Sequence, residues 1–308
     1  NARCASALRR RLRPRDLLRE PGGEPRRPQR RAGDYGVPRP AVGNDLAAPF
    51  DRVLVAEARA ADVDAACVHE QSVVVFGGTG FIGSHLAARL AEHAVSTVVP
   101  TRHEARAKHL MPLGVDIRQV DLGDDAALRR LVAGHTAVIN LIGILHSRRG
   151  DPYGPDFRRV HVELPRRIVA ACAAEGVPRY LHMSALGAGR HGPSMYQRSK
   201  ADGEAAAAGE PAVAATIFRP SVVFGPEDRF LNMFARLQRH LPIVPLACAH
   251  ARFQPVYVGD VAEAYVRALL DRHTDGFIYE LGGPQVYELE ELVRLAGRYA
   301  GHERRIIA

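Results

Sequence analysis

Residues 72–76 read Ser-Val-Val-Val-Phe, an apolar β-branched run without polar alternation, which predicts a strand buried on both faces of a sheet. Further strands are expected at Val95–Pro100, Asp116–Val120, Thr136–Ile142, Arg179–Met183 and Ala214–Phe218. Between these runs apolar positions recur every three or four residues. They predict helices near Ser84–Glu92, Arg102–Met111, Asp124–Ala133, Phe157–Glu175 and Tyr196–Ala208. Strands and helices alternating at this spacing predict an α/β fold, a doubly wound parallel sheet with right-handed crossovers.

Past Pro220 the texture changes. Pro226, Pro242, Pro245 and Pro255 interrupt a loop-rich stretch carrying helices near Phe230–His240, Val261–Leu270 and Leu289–Ala300. The predicted organisation is therefore a sheet domain over 71–220 and a smaller lobe over 221–308, with Arg305–Ile307 opening a further strand as if the chain were cut short there. Residues 1–70 read as an extension. Its first 50 residues show no period of 2 or 3.6 and collect Pro, Gly and Arg, predicting disorder, while Asp51–Cys67 is Ala-rich enough for a helix.

The net charge of +8 changes this picture little once it is located. Residues 1–40 hold 12 arginines against 4 acidic residues, and the rest of the chain balances at 30 basic and 30 acidic. The basicity belongs to the tail, either a solvated extension or an arm for anionic lipid or nucleic acid. The folded body has no nucleic-acid footprint, and no nucleic-acid partner is expected for it. The tail is Arg-rich and poor in acids, as transit peptides are, but it is Pro-rich, short of Ser and begins with Asn, which suggests a fragment or an upstream extension. No run approaches the ~18 apolar residues of a transmembrane segment, since four glycines break Val73–Leu90. The four cysteines lack metal-ligand spacing and read as reduced thiols, with Cys172 buried on a helix.

The first strand runs into Gly77-Gly-Thr-Gly-Phe-Ile-Gly83 and then a helix. Gly77, Gly80 and Gly83 free the backbone of Cβ atoms where N–H groups, including those of Phe81 and Ile82, can face a pyrophosphate. Strand before and helix after make this a Rossmann-type dinucleotide site. The second strand ends Val99-Pro-Thr-Arg102 with no acid to take ribose hydroxyls, and Arg102 can pair with a 2′-phosphate, so NADP(H) is expected over NAD(H). Asp121 and Leu122 close the third strand, where they can meet the adenine, and Asn140 with Gly143 closes the fourth beside the dinucleotide. Tyr196 and Lys200 share a helix face at i, i+4. An ammonium there favours phenolate and lowers the tyrosine pKa, giving a general acid or base, with Ser184 at the end of the fifth strand to hold a substrate carbonyl.

In this order, Gly77–Gly83, Asp121, Asn140, Ser184 and Tyr196/Lys200 resemble an extended or atypical short-chain dehydrogenase/reductase. Two later stretches, Ile217-Phe-Arg-Pro-Ser-Val-Val-Phe-Gly-Pro-Glu-Asp-Arg-Phe230 and Phe253-Gln-Pro-Val-Tyr-Val-Gly-Asp-Val-Ala262, resemble the branch that holds the NADPH-binding accessory subunit of respiratory complex I. Bacterial relatives in that branch are described as NAD-dependent epimerase/dehydratases. The resemblance covers about Ser72 to Ala308. It implies a tightly bound, structural NADPH, contacts from Gly77, Gly80, Gly83, Arg102, Asp121, Tyr196, Lys200 and Pro220, and the complex I peripheral arm as partner. It also implies a cytoplasmic or membrane-peripheral place in a bacterium, or the matrix side of a mitochondrion. His161 stands where the family usually has Asn, a departure that puts an active proton relay in question. Two alternatives stay open: a working reductase or epimerase on a small carbonyl or nucleotide sugar, and a redox-sensing regulator that binds NADP(H) without chemistry.

Overall fold

The computed structural model describes residues 71–307. The basic tail and the helix expected at Asp51–Cys67 lie outside the described residues. Seven strands form one sheet in the order β11-β6-β5-β4-β1-β2-β3: β1 Ser72–Phe76, β2 Ser96–Thr101, β3 Asp116–Gln119, β4 Ala137–Asn140, β5 Arg179–Met183, β6 Ala214–Pro220 and β11 Ile278–Leu281. Every pair in this sheet is parallel. The order doubles back between β1 and β4, so the loops leaving their C-terminal ends diverge and open a crevice where such sheets bind ligands.

The apolar run of β1 serves both faces of the sheet. Val73 and Val75 pack with Leu86 and Leu90 of α1 (Phe81–Glu92) and Tyr265 of α6 (Val258–Leu270). Val74 and Phe76 pack on the other face with Leu128 of α2 (Asp125–Val132) and with Ile168 and Cys172 of α3 (Leu164–Ala174). Burial pushes the Cys172 thiol up to about 12. α4, Met195–Ala207, follows β5.

Two features differ from the sequence expectation. The segment Arg102–Met111 is not one α-helix but two short 3₁₀ turns, Glu104–Arg106 and Lys108–Leu113. It buries only Ala107 and Leu110, and Pro112 has no N–H to extend a helical ladder. The second is the seventh strand. β11 comes from the stretch past Pro220 and pairs with β6, and α6 from the same stretch lies on α1, so the hydrophobic core crosses the 220 boundary.

The remaining elements are β7 Val223–Phe224, α5 Leu231–His240, β8 Ile243–Pro245, β9 Arg252–Phe253, β10 Val256–Tyr257, β12 Tyr287–Glu288, α7 Leu289–Tyr299 and β13 Arg305–Ile307. Residues from α5, β8 and α7 share a small core of Phe234, Val244, Leu289 and Val293. The strand expected at Arg305–Ile307 is present and pairs in parallel with β8.

Candidate functional site

The turn after β1 is shaped by what it cannot hold. A Cβ on Gly83 would lie 2.3 Å from the Gly77 carbonyl oxygen and 2.6 Å from Gly78 Cα, so α1 starts pressed onto the turn. Phe81 and Ile82 offer the crevice only their backbone. The Phe81 ring lies beside Gly225 and edge-on to His85, and Ile82 packs against the core. A glycine cradle at a helix N-terminus and a sheet switch point fits a dinucleotide pyrophosphate.

Around this cradle the predicted residues fall at the C-terminal ends of the strands, but their side chains differ in what they do. Arg102 directly follows β2 and is exposed, its carbonyl accepting from Gln119 Nε2 at 3.3 Å. Asp121 is exposed and accepts from the Gly123 N–H at 2.8 Å, while Leu122 packs inward. Asn140 is fully buried. Its Nδ2 donates to Tyr180 Oη at 2.9 Å and its Oδ1 accepts from the Ile142 N–H at 3.0 Å, so the side chain braces the crevice from below. The Pro220 carbonyl accepts from the Leu186 N–H.

α4 carries the central pair. Ser194 and Gln197 exchange capping bonds that fix where the helix starts, and Tyr196, Lys200 and Glu204 then follow at i, i+4 and i+8 on one face. Lys200 is buried, donates from Nζ to the Met183 carbonyl at 2.9 Å, and stands 5.9 Å from the Tyr196 ring centroid. A Cβ on Gly143 would be 3.4 Å from that Nζ, so Gly143 and Lys200 face each other directly. Burial lowers the Lys200 pKa to about 8, with Glu204 pulling it back up.

Two of the expected site residues have surroundings that the sequence did not show. Burial raises the Tyr196 pKa, and the Lys200 ammonium donates to a backbone carbonyl. Ser184 has a partner of its own. Its hydroxyl donates to Glu204, whose carboxylate also takes a two-pronged bond from Arg219 at 2.8 and 2.7 Å. Glu204 and Arg219 thus lock β5, β6 and α4 together behind the site. The signal for Glu204 was the continued four-residue spacing after Lys200, and Arg219 stands in the Ile217–Phe230 stretch.

His161 lies in a π-helical stretch, Arg158–Glu163, that leads into α3. Gly203 admits the approach, since a Cβ there would lie 2.2 Å from the His161 carbonyl oxygen. The ring stacks on Phe157 and meets Tyr196 edge-on at 5.6 Å. Its Nε2 accepts from the Ile144 N–H at 3.1 Å, which leaves the proton on Nδ1 to donate to Ser199 Oγ at 2.9 Å. Burial, then the charge of Lys200, push its pKa down to about 3, so it stays neutral. A cavity of about 530 Å³ opens on the opposite flank of α4, between Tyr153, Arg158, Asp202 and Glu210, away from these groups.

A parallel sheet with a glycine cradle at its switch point and a tyrosine–lysine pair across the crevice defines a Rossmann-type protein of the short-chain dehydrogenase/reductase kind. The chain belongs to the NAD dependent epimerase/dehydratase family, whose profile matches residues 73–282. It is 37% identical over 231 residues to the mitochondrial NADH dehydrogenase (ubiquinone) 1 alpha subcomplex subunit 9 of Arabidopsis thaliana, covering 72% of this chain and 56% of that protein. The Mus musculus subunit of the same name is 37% identical over 228 residues, covering 71% and 59%. The chain thus spans little more than half the length of these curated relatives. Among solved structures, Thermus thermophilus UDP-glucose 4-epimerase in complex with NAD superposes with a TM-score of 0.65 at 23% identity, covering 77% of this chain and 86% of that one.

Proposed function

We propose that this chain holds NADP(H) as an accessory subunit on the peripheral arm of respiratory complex I, with the dinucleotide serving structure more than turnover. The observation that carries this is the 37% identity to the mitochondrial subunits, which runs over more than 70% of the chain. The partner arm would face the matrix in a mitochondrion or the cytoplasm in a bacterium.

The turn Gly77–Gly83 would take the pyrophosphate, Arg102 the 2′-phosphate, and Asp121 with Leu122 the adenine. Gly143 leaves room for the nicotinamide ribose, to which Tyr196 Oη and the remaining Lys200 N–H groups would donate. The bound nicotinamide supplies hydride chemistry to this family. In this chain the Ser184 hydroxyl is held by Glu204, which favours holding over transfer.

Complex I isolated from the native membranes is expected to carry the chain and to release NADP(H) on denaturation. Free protein whose NADPH is oxidised on adding a small carbonyl would overturn the assignment in favour of a reductase. Cofactor choice is tested separately by calorimetry. Arg102→Ala is expected to weaken NADPH about tenfold or more while leaving NADH unchanged. Tighter NADH binding by the unaltered protein would refute the preference.

A further inference from the structure

The segment after β2 brings a histidine to the mouth of the dinucleotide crevice. In the 3₁₀ turn Lys108–Leu113, residues three apart share a side. Ala107 and Leu110 take the inward side, 0% and 1% exposed, and Leu110 packs with Leu86 and Leu90 of α1. His109, beside Leu110, is left at the surface next to the first turn of α1. There its Nε2 lies 2.9 Å from Ser84 Oγ. The Ser84 hydroxyl gives its one proton to the Gly80 carbonyl at 2.8 Å, so the bond to the ring runs the other way. Nε2–H donates, Ser84 Oγ accepts, and Nδ1 has no partner among the described residues.

This tether ends on the glycine turn itself. Gly80 caps α1, and on the other side of the turn Val99 of β2 is so close that a Cβ on Gly78 would lie 2.6 Å from its Cγ2. Arg102 directly follows β2. Rossmann-type sheets set the adenosine ribose at the end of β2 over this turn, so its 2′ position opens toward the segment carrying Arg102 and His109. The charge of that segment suits an anion. Residues 102–113 hold Arg102, His103, Arg106, Lys108 and His109 against the single acid Glu104. On the facing side of α1, Glu227 is taken by His85 at 2.9 Å and Glu92 by Arg89 at 2.7 Å, so neither carboxylate is turned to His109. Of these basic side chains, His109 is the one bonded to the glycine turn through Ser84.

We propose that His109 is a second specificity-determining residue for the dinucleotide, donating from Nδ1 to the 2′-phosphate that Arg102 meets from the β2 side. This rests on the NADP(H) reading above and extends it to a residue outside the strand ends. A phosphate dianion beside the ring favours the protonated imidazole, in which Nε2–H keeps Ser84 while Nδ1–H turns to the ligand. NADH has a hydroxyl at that position and no charge to draw the proton.

Calorimetric titration of the full chain with NADPH and, separately, with NADH tests this. His109→Gln keeps an N–H for Ser84 and removes the cation. It is expected to weaken NADPH about fivefold and leave NADH unchanged, and His109→Arg is expected to keep the NADPH affinity. The thermal transition should not move, because the ring is exposed. Equal weakening of both dinucleotides by His109→Gln, or of neither, would overturn the proposal while the NADP(H) reading stands on Arg102. His109 would then only tie its turn to α1. An unaltered chain that binds NADH more tightly sinks that reading and the proposal together. Combining His109→Gln with Arg102→Ala should abolish the preference for NADPH, and a preference that survives both changes would put the 2′-phosphate elsewhere.

Discussion

His161 shows how a single ring can tie a crevice together without titrating. Its acceptor nitrogen takes the Ile144 N–H, its donor nitrogen reaches Ser199, and the Ser199 hydroxyl donates to the Tyr196 carbonyl at 2.8 Å. A histidine near 6.5 when unfolded and near about 3 when folded lets the unfolded chain bind a proton that the native one refuses. Stability is therefore full above pH 6.5 and falls as pH drops through that value toward 3. At pH 5 the loss from His161 is about 2 kcal/mol, and His182, pushed down by burial in the same way, adds to it. Denaturant titrations at pH 7 and pH 5 should show this drop, and His161→Asn should remove the His161 share. Equal stability at the two pH values would contradict the neutral, buried assignment. Tyr196 and Lys200 were legible in the sequence because i, i+4 spacing on a helix is a local fact. The bonds that hold Ser184 and Asn140 were not legible, because their partners, Glu204 and Tyr180, lie 20 and 40 positions away and no local pattern points to them.

Among the elements, the buried strands were the easiest to read. Runs such as Val73–Phe76 and Ala137–Ile139 are apolar throughout because helices cover both faces of the sheet. The stretch after β2 misled because its few apolar positions bury only Ala107 and Leu110, too little to hold a full helix against the sheet. The short pairs β7/β10, β9/β12 and β8/β13 run only two or three residues, too few for a period to show. The junction of β1 with α1 carries the sharpest element-level expectation. Gly83→Ala places a methyl against the Gly77 carbonyl and must push the helix off the turn, costing about 2 kcal/mol or more. Loss of dinucleotide binding should exceed the loss of stability, since the N–H groups of the turn move with it. Calorimetry with NADPH alongside a melting curve checks this, and an alanine variant that binds normally would show that the turn tolerates the shift.

Across the whole molecule, the change of texture at Pro220 was legible, but the continuity beneath it was not. The fastening is Arg179 at the start of β5. Its guanidinium donates to the carbonyls of Ala268, Leu269 and Asp271 and to Thr274 Oγ1, and pairs with Asp275 at 2.9 Å, closing the C-terminal end of α6. Removing it leaves unpaired carbonyls and a half-buried carboxylate with Arg272 beside it, so Arg179→Met should cost about 3 kcal/mol in a denaturation curve. A fragment ending at residue 220 should fail to give a cooperative transition, while residues 71–308 melt as one unit. Two separate transitions would show that the sheet closes without its last strand. That last strand also sets a timetable for biosynthesis. Ile278 pairs with Ile217, 61 positions earlier, so β6 leaves the ribosome long before its neighbour exists. At roughly 5–20 residues per second the open edge of β6 waits about 3–12 seconds, the interval in which a nascent chain most needs a chaperone.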